Sequence, residues 1–179
     1  MLPADIDETP YHQEKAEDYV VRMAVEKAKA ATYKYRQQVS LNESTVFIAS
    51  DTSVVIDDCI LGKPTSLEDS RFMLRRLSGR SHQVITSICL CNLQHDHLAT
   101  ACVVSDVYFR DISDVEIERY WNTNEPQDKA GSYAIQGLGA VFVRSISGSY
   151  SAVVGLPLYE TAQILSQFGI HSLEEMSHE

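Results

Sequence analysis

Two long runs rich in Val, Ile and aromatic residues, His82 to Asn92 and Leu98 to Arg110, are separated only by the polar stretch "LQHDH". Such a pair predicts an extended β-hairpin, and it commits the chain to a sheet that other elements must cover. A third β-type stretch, "VFIASDTSVVIDDCILGKP" from Val46 to Pro64, reads as strand, tight turn at Asp57 and Asp58, and second strand. Helical spacing brackets these runs. "QEKAEDYVVRMAVEKAKAATYKY", Gln13 to Tyr35, sets Ala16, Tyr19, Val20, Met23, Lys27 and Ala31 three and four apart, the mark of a long amphipathic helix with Lys27 at the edge of its apolar stripe. "TSLEDSRFMLRRLSG" predicts a second helix, capped by Thr65 with Glu68 and stopped at Gly79. Ser113 with Glu116 opens a third, and "LPLYETAQILSQFG" makes a last one with Pro157 in its first turn. Between them, "EPQDKAGSYAIQGLG" is a glycine-bearing loop, and "AVFVRSIS" with "SYSAVV" around Gly148 predicts a final hairpin. Hairpins mixed with helices predict an α/β or α+β sheet protein. With 179 residues one domain is expected, covering 1–169, followed by a tail over 170–179.

Charge narrows the partners. The net charge is -10, from 25 acidic and 15 basic side chains, so a nucleic-acid polymer is an unfavourable partner. A small anion stays open, because a few lysines in one cleft reverse the potential locally. No stretch approaches a membrane span, and the start has no apolar leader region, which predicts a cytoplasmic protein. Cys59, Cys89, Cys91 and Cys102 lie in strand-like runs and read as reduced core residues.

Asp51 interrupts the apolar run of the Val46 stretch, where a strand interior disfavours a carboxylate. A strand end or bulge aimed into a cleft is the functional reading; a turn or edge is the ordinary one. Asp7 and Glu8 form a second acidic pair, of a kind usually found in solvated loops. Lys63 in "GKP" and Lys129 in "DKAG" are lysines beside backbone-restricting residues. Two carboxylate sites with several lysines suit a phosphate ester and a divalent cation. Cys89, Cys91, His95 and His97 lack the spacing of common zinc sites, and Gly137 with Gly139 precede a strand where a dinucleotide fingerprint must open a helix.

"DIDET" (Asp5 to Thr9), "VEKAKA" (Val25 to Ala30), "ASDTSVV" (Ala49 to Val55), "LGKP" (Leu61 to Pro64), "MLRRLSG" (Met73 to Gly79), "DKAGSYAIQGLG" (Asp128 to Gly139) and "GSYSAVVGLPLYET" (Gly148 to Thr161) strongly resemble the Maf nucleoside triphosphate pyrophosphatases. The resemblance implies an α/β fold similar to inosine triphosphate pyrophosphatases, a long mixed sheet flanked by helices, as a homodimer. It implies hydrolysis of a nucleoside triphosphate between the α and β phosphates with Mg²⁺ or Mn²⁺. By position it implies Asp51 as catalytic proton acceptor and, with Glu8, as metal-associated. It implies Glu8, Lys27 and Lys63 as cleft residues, Lys129 as a further one, and Thr52 and Gln136 as substrate-selecting. "AIQG" is similar to the subfamily acting on dTTP and UTP. The family pattern opens with a strand and helix bearing a Ser-x-Ser-x-Arg-Arg loop, and the sequence given starts after it. A start placed too late or a fragment is the expectation, with loss of the arginines costing on the order of 100-fold in rate. The rival from another class is an impaired, nucleotide-binding regulator of the kind linked to cell-division arrest and septum inhibition.

Overall fold

The expected long hairpin forms the middle of a five-stranded sheet ordered β2-β1-β3-β4-β5. Its strands are β1 (Val46–Ile56), β2 (Cys59–Leu61), β3 (Ser81–Asn92), β4 (Leu98–Phe109) and β5 (Val143–Ser147). The computed structural model describes residues 6–36, 45–92 and 97–171. Asp5, His95 and residues 172–179 of the expected tail therefore lie outside the described residues. All four pairings are antiparallel, so among the described residues the sheet has no parallel pair of the expected mixed kind. Only two residues separate β1 from β2 and five separate β3 from β4, too few for a crossover, and the chain returns after β2 to run β3 against β1. Asp57 and Asp58 take φ of 52° and 56°, the left-handed pair that a two-residue hairpin turn demands.

β2 is only three residues long and pairs with Val54, Val55 and Ile56 alone. On that side β1 has no strand partner from Val46 to Ser53 among the described residues. This open edge positions the site.

Alternation along β1 separates two cores. One face meets α1 (Ala16–Arg36): Val20 and Met23 pack with Val55 and Ile85, and Ala24 and Ala28 pack with Phe47, Cys89 and Cys91. The other face carries Val54, Ile56, Val84 and Val107 against α2 (Leu67–Leu77), α3 (Asp114–Trp121), Tyr133 and Phe142. An 11-residue helix such as α2 is marginal alone in water, so burial of Leu74 and Leu77, each 0% exposed, holds it. Two such leucines contribute roughly 1.5–3 kcal/mol each.

The cap of α3 is the reciprocal one its spacing predicts, Ser113 and Glu116 each accepting from the other's backbone N–H. Ser113→Ala should cost about 1 kcal/mol, read as a lower urea midpoint with unchanged slope. An unchanged midpoint would mean that Arg110 on Glu116 secures this helix start without the cap. In α2 the cap moves one residue from the expectation: Ser66, not Thr65, accepts from Asp69 N, while the Asp69 carboxylate accepts from Thr65 N. The same three-residue spacing recurs one position on.

"SYSAVV" is not a strand. Ser149 accepts from Ala152 N and starts the short helix α4 (Tyr150–Val154), closed by Gly155 at φ 118°. A short apolar run has no decisive period, and here the cap chemistry wins. β5 pairs with β4 in place of the expected hairpin partner. The last helix, α5 (Leu158–Gln167), follows Pro157 directly. Cys89 and Cys91 are buried thiols, but Cys59 on the short edge strand and Cys102 on β4 are exposed, so only two of the four are core residues.

Candidate active site

Asp51 is neither at a strand end nor in a bulge. β1 runs through it in regular register, opposite Ser87 of β3 and outside the stretch that β2 pairs. With Phe47 and Val55 it faces α1. There Lys27 Nζ donates to Asp51 Oδ1 at 2.6 Å and sits 2.8 Å from Glu8 Oε1. The Asp51 side chain is 11% exposed and that of Glu8 48%, so the cluster grades from half-buried to open. Burial raises the Asp51 carboxyl above the ordinary aspartate range; Lys27 pulls it down, and Glu8 adds to the rise. Burial works against the Lys27 ammonium, yet Asp51 and Glu8 together hold it above the usual lysine range. The outcome is a paired carboxylate that takes a proton more readily than a free one.

Glu8 reaches this point because the segment before α1 is strapped down. Tyr19 donates its hydroxyl to Glu8 O at 2.8 Å. Arg22 forks onto Glu14 with two contacts of 2.7 Å, bonds Thr9 O at 3.1 Å and lies 3.9 Å from the Tyr11 ring centre. The guanidinium holds the Glu14 carboxyl down at about 2. Sequence reasoning missed Tyr19 and Arg22 as supports; their only signal is spacing of three near the start of α1.

Thr52 points to the opposite face. Its hydroxyl lies 2.9 Å from that of Thr86, which donates to Ala152 O at 2.7 Å. On this side a cavity of about 290 Å³ is lined by Thr52, Lys63, Lys129 and Gln136 over an apolar wall that includes Val54 and Tyr133. A second cavity, on the α1 side, is lined by Glu8, Lys27, Asp51, Thr52 and Lys63. Thr52, Lys63 and Ala130 line both. All seven residues expected from the sequence therefore border one cleft that wraps the open edge of β1, charged at one end and apolar at the other.

Two loops meet at the join. Gly131 N donates to Gly62 O at 3.0 Å, with Gly131 at φ 66° pressed so close to Val54 that a Cβ would lie 2.7 Å from its methyl. Asp128, which sequence reasoning passed over, sits 3.1 Å from Lys63 Nζ and 3.5 Å from Lys129 Nζ. Asp128 is 76% exposed, so these pairs are worth under about 1 kcal/mol and yield readily to a better anion. Behind the apolar wall His82 Nε2 lies 2.9 Å from the Tyr133 hydroxyl, and burial drives this imidazole down to about 4, leaving it neutral.

Two carboxylates share the Lys27 ammonium, and Lys63 on the same lining brings the formal charge of that end into balance. Carboxylate oxygens are the donor type that a hard divalent cation takes, completing its shell with ligand oxygens as Mg²⁺ does with phosphates; here both carboxylates bond the Lys27 ammonium. Among the described residues no group of three or more His, Cys, Asp or Glu converges, so the protein oxygens alone do not form a closed cage.

The arrangement has relatives. A dTTP/UTP pyrophosphatase of Pseudoalteromonas atlantica is 49% identical over 169 residues, covering 94% of this chain and 85% of its own. Those of Pasteurella multocida and Vibrio parahaemolyticus are each 48% identical over 168 residues, covering 93% and 94% of this chain and 83% and 84% of theirs. The family described as Maf-like protein matches residues 1–168. With identity at this level running through the strands, loops and helix that build the cleft, the chain belongs to the Maf family.

Proposed function

We propose that the chain is a nucleoside triphosphate pyrophosphatase that hydrolyses dTTP and UTP, and modified pyrimidine triphosphates, to the monophosphate and pyrophosphate. The observation that carries this is the single cleft around the β1 edge, with Asp51, Lys27 and Glu8 at its charged end and Gln136 on its apolar end. The base lies against the apolar wall, where the Gln136 amide offers both a donor and an acceptor to a pyrimidine edge. The triphosphate runs past Lys63 and Lys129, displacing their weak hold on Asp128. Asp51, whose affinity for a proton burial has raised, accepts one proton from the water that attacks the α phosphorus. The water oxygen bonds to that phosphorus, the bond to the bridging oxygen breaks, and pyrophosphate leaves with the electron pair. Lys27 keeps Asp51 ionised and aimed, and the lysines offset charge on the phosphate oxygens. Glu8 and Asp51 would hold a divalent cation, Mg²⁺ or Mn²⁺, which when bound neutralises phosphate charge.

The reading includes a homodimer acting in the cytoplasm on free nucleotide. The net charge of -10 argues against a nucleic-acid polymer, and no described helix is long and apolar enough to cross a membrane. The names of the relatives favour catalysis over the regulatory rival. Incubation with dTTP, UTP, CTP and 7-methyl-GTP, each with Mg²⁺ or Mn²⁺, should release pyrophosphate from the first two. Nucleotide binding without any pyrophosphate release would replace this reading with the regulator.

A further inference from the structure

The loop that carries Gln136 is tied at both ends to one half-buried knot. The two oxygens of Glu125 take three donors: Tyr120 Oη at 2.7 Å and Gly139 N at 3.0 Å on Oε1, and Leu138 N at 2.8 Å on Oε2. Tyr120 Oη in turn accepts from Ala134 N at 3.0 Å. The tyrosine is 4% exposed on α3, part of the main core, so the anchor is rigid. The backbone is fitted to this knot. A Cβ on Gly137 would collide with the Glu125 carboxylate, and one on Gly139 would lie 2.6 Å from the Tyr120 hydroxyl. Ala134 at the first anchor, with Ile135 and Gln136 between the two, lines the apolar cavity.

We propose that Glu125 and Tyr120 are positioning residues for nucleobase selection: they fix the backbone of the Ala134–Gly139 loop, and with it the point from which Gln136 reaches the base. The inference rests on the pyrimidine triphosphate reading given above. Thymine and uracil offer an N3–H donor beside an O4 acceptor, whereas cytosine offers the reverse. The backbone sets the distance and side from which the Gln136 amide meets that edge, so a loop able to shift loses discrimination. A glutamate is needed because an ionised carboxylate is acceptor-only and can satisfy all three donors. Burial opposes its ionisation, but the Gly139 N–H, the Tyr120 hydroxyl and the Leu138 N–H outweigh it and hold the carboxyl below its usual range. Neither residue contacts the cavity, which separates their action from that of a binding group.

The test compares kcat/KM for dTTP and dCTP in wild type, Glu125→Gln, Tyr120→Phe, Gln136→Ala and the Glu125→Gln/Gln136→Ala double variant. In Glu125→Gln the amide nitrogen must face Leu138 N–H, donor against donor, while the Tyr120 and Gly139 bonds are kept. The dTTP-over-dCTP ratio should fall at least about tenfold, mostly through KM for dTTP, with kcat little changed. The double variant should discriminate no worse than Gln136→Ala alone, because both changes remove the same interaction. Amide hydrogen exchange should be slow at Ala134, Leu138 and Gly139 in wild type, and faster at Leu138 in Glu125→Gln. An unchanged ratio in the variants, full additivity in the double variant, or fast exchange in wild type overturns the inference. A wild type that cleaves dTTP and dCTP equally overturns the base-pocket reading first, and the inference with it.

Discussion

Asp51→Asn should lower kcat by about 10³-fold while leaving the fold intact. The substitution preserves shape, so regular pairing with Ser87 on β3 is undisturbed. The asparagine oxygen can still accept from Lys27, but the amide cannot take the proton of an attacking water. Removing the charge also removes the desolvation that raises this carboxyl, at the cost of leaving Lys27 with Glu8 as its one remaining anion. These effects oppose each other, so stability by urea denaturation should stay within about 1 kcal/mol of wild type. Pyrophosphate release from dTTP and far-UV circular dichroism on one preparation separate chemistry from folding. Turnover near the wild-type rate in a folded variant would remove Asp51 from proton transfer and leave the cleft as a binding site only.

Much of this architecture was legible because its signals are local. The α1 stripe, the Asp57-Asp58 turn and the Ser113 and Glu116 cap each depend on residues within one or two turns, and each stands as the spacing predicts. The site residues were legible chiefly through resemblance, since spacing alone left Glu8 and Lys63 in ordinary loops. What stayed hidden depends on contacts far apart in the chain. Asp51 sits inside a regular strand because β3 pairs it through Ser87, 36 residues on, a contact that the Val46 stretch does not declare. Asp128 matters by facing Lys63 across 65 residues, and Glu125 by meeting a turn 13 residues on. "SYSAVV" misled because its apolar content fits either period, while the deciding bond, Ser149 to Ala152 N, looks like any serine in a loop.

Lys27→Met should reduce kcat/KM by about 100-fold or more and move the acid limb of its pH profile upward. The rate loss follows from removing a cation that faces both the base and the phosphate path. The pH shift follows from the balance at Asp51. Burial raises that carboxyl, Lys27 lowers it and Glu8 raises it again, so deleting the lysine leaves only the raising influences of burial and Glu8 beside a weak pull from Lys63. Stability changes with a definite sign. In wild type the lysine's raised folded value stabilises the fold below the unfolded lysine range, and this is lost as pH climbs through the folded value. In the variant, Asp51 binds its proton more tightly in the folded than in the unfolded chain. Folding is then favoured in acid and weakens as pH rises through the raised carboxyl value. The stability gap between wild type and variant must therefore widen from acid to neutral pH, measurable as urea midpoints at several pH values. A gap that stays constant, with an unmoved acid limb, would mean that Lys27 does not set the charge state of Asp51 and that the base is tuned by burial alone.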